Sequence, residues 1–166
     1  MNSTDPKYLA AQLVNLAFDD VSRGDFRAAK SKLEKSLQLN ERCADAHSEY
    51  ALVLLKLDQH PKAEFHIMRA IELEPRSPKF WLALAKWHFD IKQFDQASKS
   101  VLVAEAIDPN FPSVALAKMH ILNARGGSPQ SIEALGEQAR QIYNQTGKRA
   151  DGTKLQMGDI ERFLTL

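Results

Sequence analysis

Residues 44–77 (ADAHSEYALVLLKLDQHPKAEFHIMRAIELEPRS) and 78–111 (PKFWLALAKWHFDIKQFDQASKSVLVAEAIDPNF) align without a gap at an offset of 34, and residues 10–43 (AAQLVNLAFDDVSRGDFRAAKSKLEKSLQLNERC) align ahead of them. Small residues recur in step: Ala17, Ala51 and Ala85; Ala29, Ala63 and Ala97; Ser36, Ala70 and Ala104. Large apolar residues recur beside them: Leu16, Tyr50 and Leu84; Leu33, Ile67 and Val101; Leu39, Leu73 and Ile107. Phe26, His60 and Phe94 form a ring column, and Pro75 and Pro109, like Pro78 and Pro112, keep the same spacing. Agreement in side-chain size across so many columns marks an internal repeat.

The repeating unit reads as two helices. No glycine occurs between Asp25 and Arg125, and the stretch is rich in Ala, Leu, Lys, Glu and Gln, which favour helix; no β-branched alternation competes. Small residues at Ala17 and Ala29 are expected to let the two helices approach closely, with Leu16 and Leu33 expected to fill the space beside them. A short turn separates them: Arg23-Gly24-Asp25, then Leu57-Asp58-Gln59, then Ile91-Lys92-Gln93. Only the first carries the glycine that tolerates positive φ. Pro75 and Pro109 then stop the second helix.

This 34-residue helix-turn-helix pattern resembles the tetratricopeptide repeat (TPR) family. The second repeat shows the family's small residues as Ala51, Ala63 and Ala70 and its closing proline as Pro75; the third adds the family's tryptophan as Trp81, with Leu84, Ala85, Phe94, Ala97, Ala104 and Pro109. The first departs at Ser36, where alanine is usual, and at Glu41, where proline is, and those departures are expected to weaken the end of that repeat. The resemblance implies an all-α, right-handed α-solenoid forming a single domain over 1–166, with repeats at 10–43, 44–77 and 78–111 and a degenerate fourth repeat and cap over 112–166.

The ends follow from capping signals. Asp5 is a good N-cap and Pro6 suits the first helical position, so a helix is expected over 6–22. A helix over 113–124 opens the fourth repeat and is broken at Arg125-Gly126-Gly127. Ser128-Pro129 opens another helix to about 145, with Ile132, Leu135, Ala139, Ile142 and Tyr143 at helical spacing. The spacing predicts a loop over 146–153 and a short terminal segment over 154–164 with Leu155, Ile160, Phe163 and Leu164 on one face. Terminal units of a solenoid must cover an open apolar end.

Composition removes several function classes. The chain has 166 residues, 44% hydrophobic and 26% charged, which suits one domain. Lys plus Arg is 22 against 21 for Asp plus Glu, without the basic excess of a nucleic-acid binder. Apolar runs such as 51–55 are far short of the ~18 residues of a membrane span. The polar start, 1–7, carries no secretory signal, so a cytoplasmic location is expected, or a periplasmic one if a leader has been removed. Cys43 is the single cysteine, so neither an internal disulfide nor a CxxC metal site can form.

In TPR proteins the first helix of each repeat lines a concave face. The resemblance therefore implies a partner-binding groove at Val14, Phe18 and Val21; at Ser48, Leu52, Leu55 and Lys56; at Lys79, Leu82, Lys86 and Phe89; and at His120 and Asn123. Apolar side chains rimmed by charge mark a partner site. The expected partner is another protein, a peptide or helix with hydrophobic anchors and an acidic group near Lys79 and Lys86. The opposing reading is that Phe18, Leu52 and Phe89 only pack repeat on repeat. Self-assembly through an open repeat end is an alternative. TPR domains that clamp the C-terminal carboxylates of heat-shock chaperones are a poor match: the clamp positions fall on Val14, Phe18, Glu49, Lys79 and Ala83, and only Lys79 fits. The strings Ala44-Asp45-Ala46-His47 and Pro112-Ser113-Val114-Ala115-Leu116 are also similar to TPR lipoproteins that assist type IV pilus secretin assembly, although those carry a lipidated cysteine near the start.

Catalytic patterns are weak. His47, His60, His66, His88 and His120 form neither HExxH nor an i, i+4 pair, and His60 and His66 point about 120° apart on a helix. His88 is expected to be a packed ring, and Trp81 and Trp87 core residues. Cys43 has no positioned base and is expected to be a free thiol. The carboxylates Asp19-Asp20 and Glu72-Glu74, and Lys30, Lys32 and Lys35, are expected on solvated helix faces. No enzymatic activity, metal or cofactor is expected.

Overall fold

The computed structural model describes residues 5–146 as eight helices. They are α1 (Pro6–Ser22), α2 (Phe26–Leu39), α3 (Ala44–Lys56), α4 (His60–Leu73), α5 (Pro78–Asp90), α6 (Phe94–Ile107), α7 (Pro112–Ala124) and α8 (Pro129–Thr146). No strand occurs among the described residues. The helix expected over 6–22 forms with Asp5 as its cap, the carboxylate accepting from the Lys7 amide at 2.9 Å. The expected terminal segment over 154–164, and the loop before it apart from Thr146, lie outside the described residues.

Each hairpin closes on its small residues. Ala17, Ala51 and Ala85 on the first helices, and Ala29, Ala63 and Ala97 on the second, are buried, as are Ser36, Ala70 and Ala104. Leu33, Ile67 and Val101 fill the adjoining layer. The departure at Ser36 is compensated rather than weakening: its hydroxyl donates to the Ala10 carbonyl of α1 at 2.8 Å. Glu41 is put to use as well, its carbonyl meeting His47 Nε2 at 2.9 Å. The same contact recurs 34 residues on, where Trp81 Nε1 donates to the Pro75 carbonyl at 2.9 Å.

The turns inside the hairpins repeat more strictly than their residues do. Gly24, Asp58, Lys92 and Gly126 all take positive φ, at 78°, 56°, 62° and 75°, and they are spaced by 34. At each, the following amide bonds back to a carbonyl five residues earlier: Asp25 to Asp20 at 2.9 Å, Gln59 to Leu54 at 2.9 Å, Gln93 to His88 at 2.8 Å and Gly127 to Leu122 at 2.9 Å. This is the Schellman closure, which satisfies the orphan carbonyls of a helix end.

Packing between hairpins sets the curvature. The first helices touch in succession, α1 on α3, α3 on α5 and α5 on α7, whereas the second helices meet only helices adjacent in sequence. The first helices therefore crowd the inner side and the second helices splay outward. The result is a right-handed α-solenoid whose concave face is made by α1, α3, α5 and α7.

Candidate functional site

Four columns of the first helices bear on the concave face. Phe18, Leu52, Lys86 and His120 stand at one repeat position, and all four are half-buried. They form a ladder along the inner face, apolar at the α1–α3 end and carrying nitrogen at the α5–α7 end. Val21, Leu55, Phe89 and Asn123 form a second column, and Ser22, Lys56, Asp90 and Ala124 a third. The fourth, Val14, Ser48, Leu82 and Leu116, runs deeper.

The predicted groove residues divide on burial. Ser48, Leu55 and Leu82 are buried, so little of them is open to a partner, Leu82 only where it lines a small cleft. Val14, Val21 and Leu52 are half-buried against the core shared by the first three hairpins, and Phe89 against the core between α5 and α7. Phe89 also meets Phe94 edge-to-face, with ring centroids 5.4 Å apart. Lys56 and Asn123 are exposed. Lys79 is already engaged: its ammonium bonds to Asp45, 34 residues earlier on α3, and lies 4.9 Å from the Phe80 ring centroid.

The charged part of the groove lies further along. Lys86 Nζ bonds Asp90 at 3.2 Å on the same helix, an i, i+4 pair. Lys56, though exposed overall, lies close enough to feel both: partial desolvation of its ammonium first, then repulsion from Lys86, pulls it below the usual lysine value, and Asp90 acts in the opposite direction. Asp90 is thus bonded by Lys86 and felt by Lys56 only at longer range. Beside them is an apolar cleft of about 50 Å³, walled by Leu82, Ala85, Phe89, Ala117 and Ile121 and rimmed by Lys86 and His120. His120 Nε2 is buried without a hydrogen-bond partner. Burial, with the nearby Lys86 charge, holds its imidazole below the ordinary histidine value. A larger open depression of about 510 Å³ lies at the α5–α6 turn, where Arg125 and Asp95 pair at 3.0 Å.

Several expectations outside the groove change. Asp20 is not solvated: it is 2% exposed, held by Arg23 at 2.6 Å and by Lys32 from α2. The Lys32 bond is the main cause that keeps its carboxyl below the usual range, against the opposing effect of burial. Lys32 is accordingly an internal partner rather than a free surface cation. His88 is half-buried, edge-on to Trp87 and 3.2 Å from Gln93 Oε1. Trp87 Nε1 donates to the His60 carbonyl at 3.0 Å, tying α5 to α4. Cys43 is free and half-buried.

Two features escaped the sequence reading. His47 and His66, 19 residues apart, bring their Nδ1 atoms to 2.8 Å between α3 and α4. Their separation conceals them from any search at helical spacing. On the second helices, Phe65 and Met68 of α4 and Leu102 and Val103 of α6 are exposed; Met68 and Leu102 share one repeat column, which could have flagged them. No group of three or more His, Cys, Asp or Glu among the described residues is placed to hold a metal ion. No helix among the described residues is long and apolar enough to cross a membrane.

No protein-family model matches the chain, and no curated protein does. Solved structures do. A thermophilic TPR protein of Thermus thermophilus is similar at 18% identity and a TM-score of 0.75, over 81% of this chain and 75% of that one. The first TPR of Spaghetti (RPAP3), solved with the HSP90 peptide SRMEEVD, is similar at 13% identity and a TM-score of 0.59, over 82% and 94%. An O-GlcNAc transferase mutant from Thermobaculum terrenum is similar at 18% identity and a TM-score of 0.72, the match covering 85% of this chain but only 27% of that chain. The chain therefore has the TPR fold.

Proposed function

We propose that this TPR-fold chain is a non-enzymatic protein-interaction scaffold whose concave face receives a segment of a partner protein. The observation that carries this reading is the half-buried column Phe18, Leu52, Lys86 and His120. A surface that only packed repeat on repeat would bury such a column, as the neighbouring column buries Ser48, Leu82 and Leu116. An apolar strip bounded by lysines suits a peptide or helix laid along the groove with hydrophobic anchors near Leu52 and Phe89. Lys79 and Lys86 are each already paired, with Asp45 and Asp90, so the acidic group of the partner is assigned to the exposed Lys56 beside Lys86. The bound peptide of the Spaghetti (RPAP3) domain supports use of this fold for peptide capture.

The test compares partner recovery by the wild-type chain, by a Leu52→Asp/Phe89→Asp variant and by a Lys56→Glu/Lys86→Glu variant, with helical content checked by circular dichroism. Loss of the same partner in both folded variants supports the groove. Undiminished recovery by both would overturn it.

A further inference from the structure

We propose that the outer face of α4 and α6 is an interface for a second copy of this chain, packed back to back under a two-fold axis parallel to the helices. The open repeat ends take no part in it. The inference is independent of the groove reading, because the concave face lies on the other side of the stack and stays open in both copies.

Exposed apolar surface is concentrated on this face. Of the seven large apolar side chains exposed among the described residues, Phe65, Met68, Leu102 and Val103 lie on α4 and α6. Phe65 is 65% exposed, and its ring stands edge-on to His66 at 5.2 Å; a ring already held in place loses little freedom on association. At the matching positions α2 carries Ser31, Glu34 and Lys35. The patch is therefore confined to the two middle second helices. Two convex surfaces touch only along their crests, so a second copy calls for no wider patch than this.

Charge complementarity selects the occupant. Glu64 and Lys99 are exposed, and neither is paired with another described residue. Other charged groups on these helices are engaged, Arg69 with Glu72, Glu105 with Lys118 and Asp95 with Arg125, and Lys62 is exposed one turn before Phe65. Met68 and Leu102 are 34 residues apart, as are Phe65 and Lys99, so each pair stands level on the two helices. An axis running between α4 and α6 lays α4 of one copy on α6 of the other with those levels kept. Met68 then meets Leu102 of the second copy. Lys99 of the second copy comes over the Phe65 ring and beside Glu64, gaining an aromatic face and a carboxylate. Each contact is made twice. An axis across the helices would instead set Lys99 on Lys99, which repel. A two-helix strip about 21 Å long and about 20 Å wide is small for an interface, so the dimer is weak, with a dissociation constant on the order of 100 µM.

Sedimentation velocity of the full chain from about 5 µM to about 1 mM tests this, with helical content followed by circular dichroism. The wild type is expected to pass from monomer to dimer over that range. Phe65→Ser/Leu102→Ser should leave a folded monomer throughout. Glu64→Lys and Lys99→Glu should each weaken the dimer at least about five-fold, and the exchanged pair Glu64→Lys/Lys99→Glu should restore wild-type association. A wild type that is monomeric at every concentration overturns the proposal. So does a dimer indifferent to Phe65→Ser/Leu102→Ser, which would put the interface elsewhere, or a charge exchange that fails to restore association. None of these readouts uses a groove partner, so loss of the groove reading leaves them unchanged, and loss of the dimer leaves partner recovery through Leu52 and Phe89 unchanged.

Discussion

His47 and His66 share one proton between Nδ1 atoms 2.8 Å apart inside the second hairpin. The direction of sharing follows from the Glu41 carbonyl, which can only accept and so places the other proton of His47 on Nε2. His47 Nδ1 is then an acceptor, and His66 Nδ1 donates to it. His47 stands where the third repeat has Trp81, and it keeps that ring's bond to the preceding connection. His66 sits edge-on to Tyr50, whose hydroxyl donates to Glu34 at 2.7 Å.

The bond requires His47 Nδ1 unprotonated, and burial disfavours charge on either ring, which predicts acid lability. Burial first, and then His47, pulls His66 down to about 4, and burial lowers His47 as well. Unfolded histidines titrate near 6.5, so between about pH 6.5 and 4 the unfolded chain binds more protons and stability falls with falling pH. The stability is fully present above that window. Because His66 is only half-buried, the loss is about 1–2 kcal/mol rather than the full shift. Thermal melts from pH 7.5 to 5 should show the decline, and His66→Gln should flatten it. An identical slope in the variant would contradict the assignment.

The left-handed column predicts an asymmetry among the turns. Lys92 holds φ 62°, which costs a residue with a Cβ about 1 kcal/mol, whereas glycine adopts it freely. Lys92→Gly should therefore stabilise the chain by about 0.5–1 kcal/mol. Gly24→Ala should destabilise it by a similar amount, although a Cβ there would meet nothing within 4 Å. Chemical denaturation measures both; a destabilising Lys92→Gly would show that its side chain matters more than its backbone.

The small-residue columns predict sensitivity to bulk. Ala63 is fully buried between α3 and α4, and Ala63→Leu should overpack the hairpin and cost about 1–3 kcal/mol. An unmoved melting temperature would mean that the two helices are not held apart by this contact.

How much of this was legible in the sequence depends on what each feature is made of. Helix ends and hairpin contacts are written in residue type, through Asp5-Pro6, the alanine columns and the prolines, and the helices begin and end there. The positive φ at Asp58 and Lys92 is not visible in those side chains. It follows only from the column that Gly24 and Gly126 share with them. In the groove, spacing placed residues on the inner face but not at their depth. Ser48 and Leu82 face the next first helix, and only the curvature of the stack separates them from the half-buried Leu52 and Lys86. Asp20 read as a surface carboxylate because its partner Lys32 comes from another helix, and the His47–His66 pair was hidden for the same reason.

The most direct test of the account places a photo-crosslinking residue at one position at a time, at Phe89 on the concave face or at Phe65 on the back, and identifies what each captures in the presence of the recovered partner. Capture of the partner from Phe89, suppressed by Lys56→Glu/Lys86→Glu, with none of it from Phe65 is the predicted result. Capture of the partner from the exposed Phe65, Met68 and Leu102 side with none from Phe89 would contradict it and move the binding surface to the second helices.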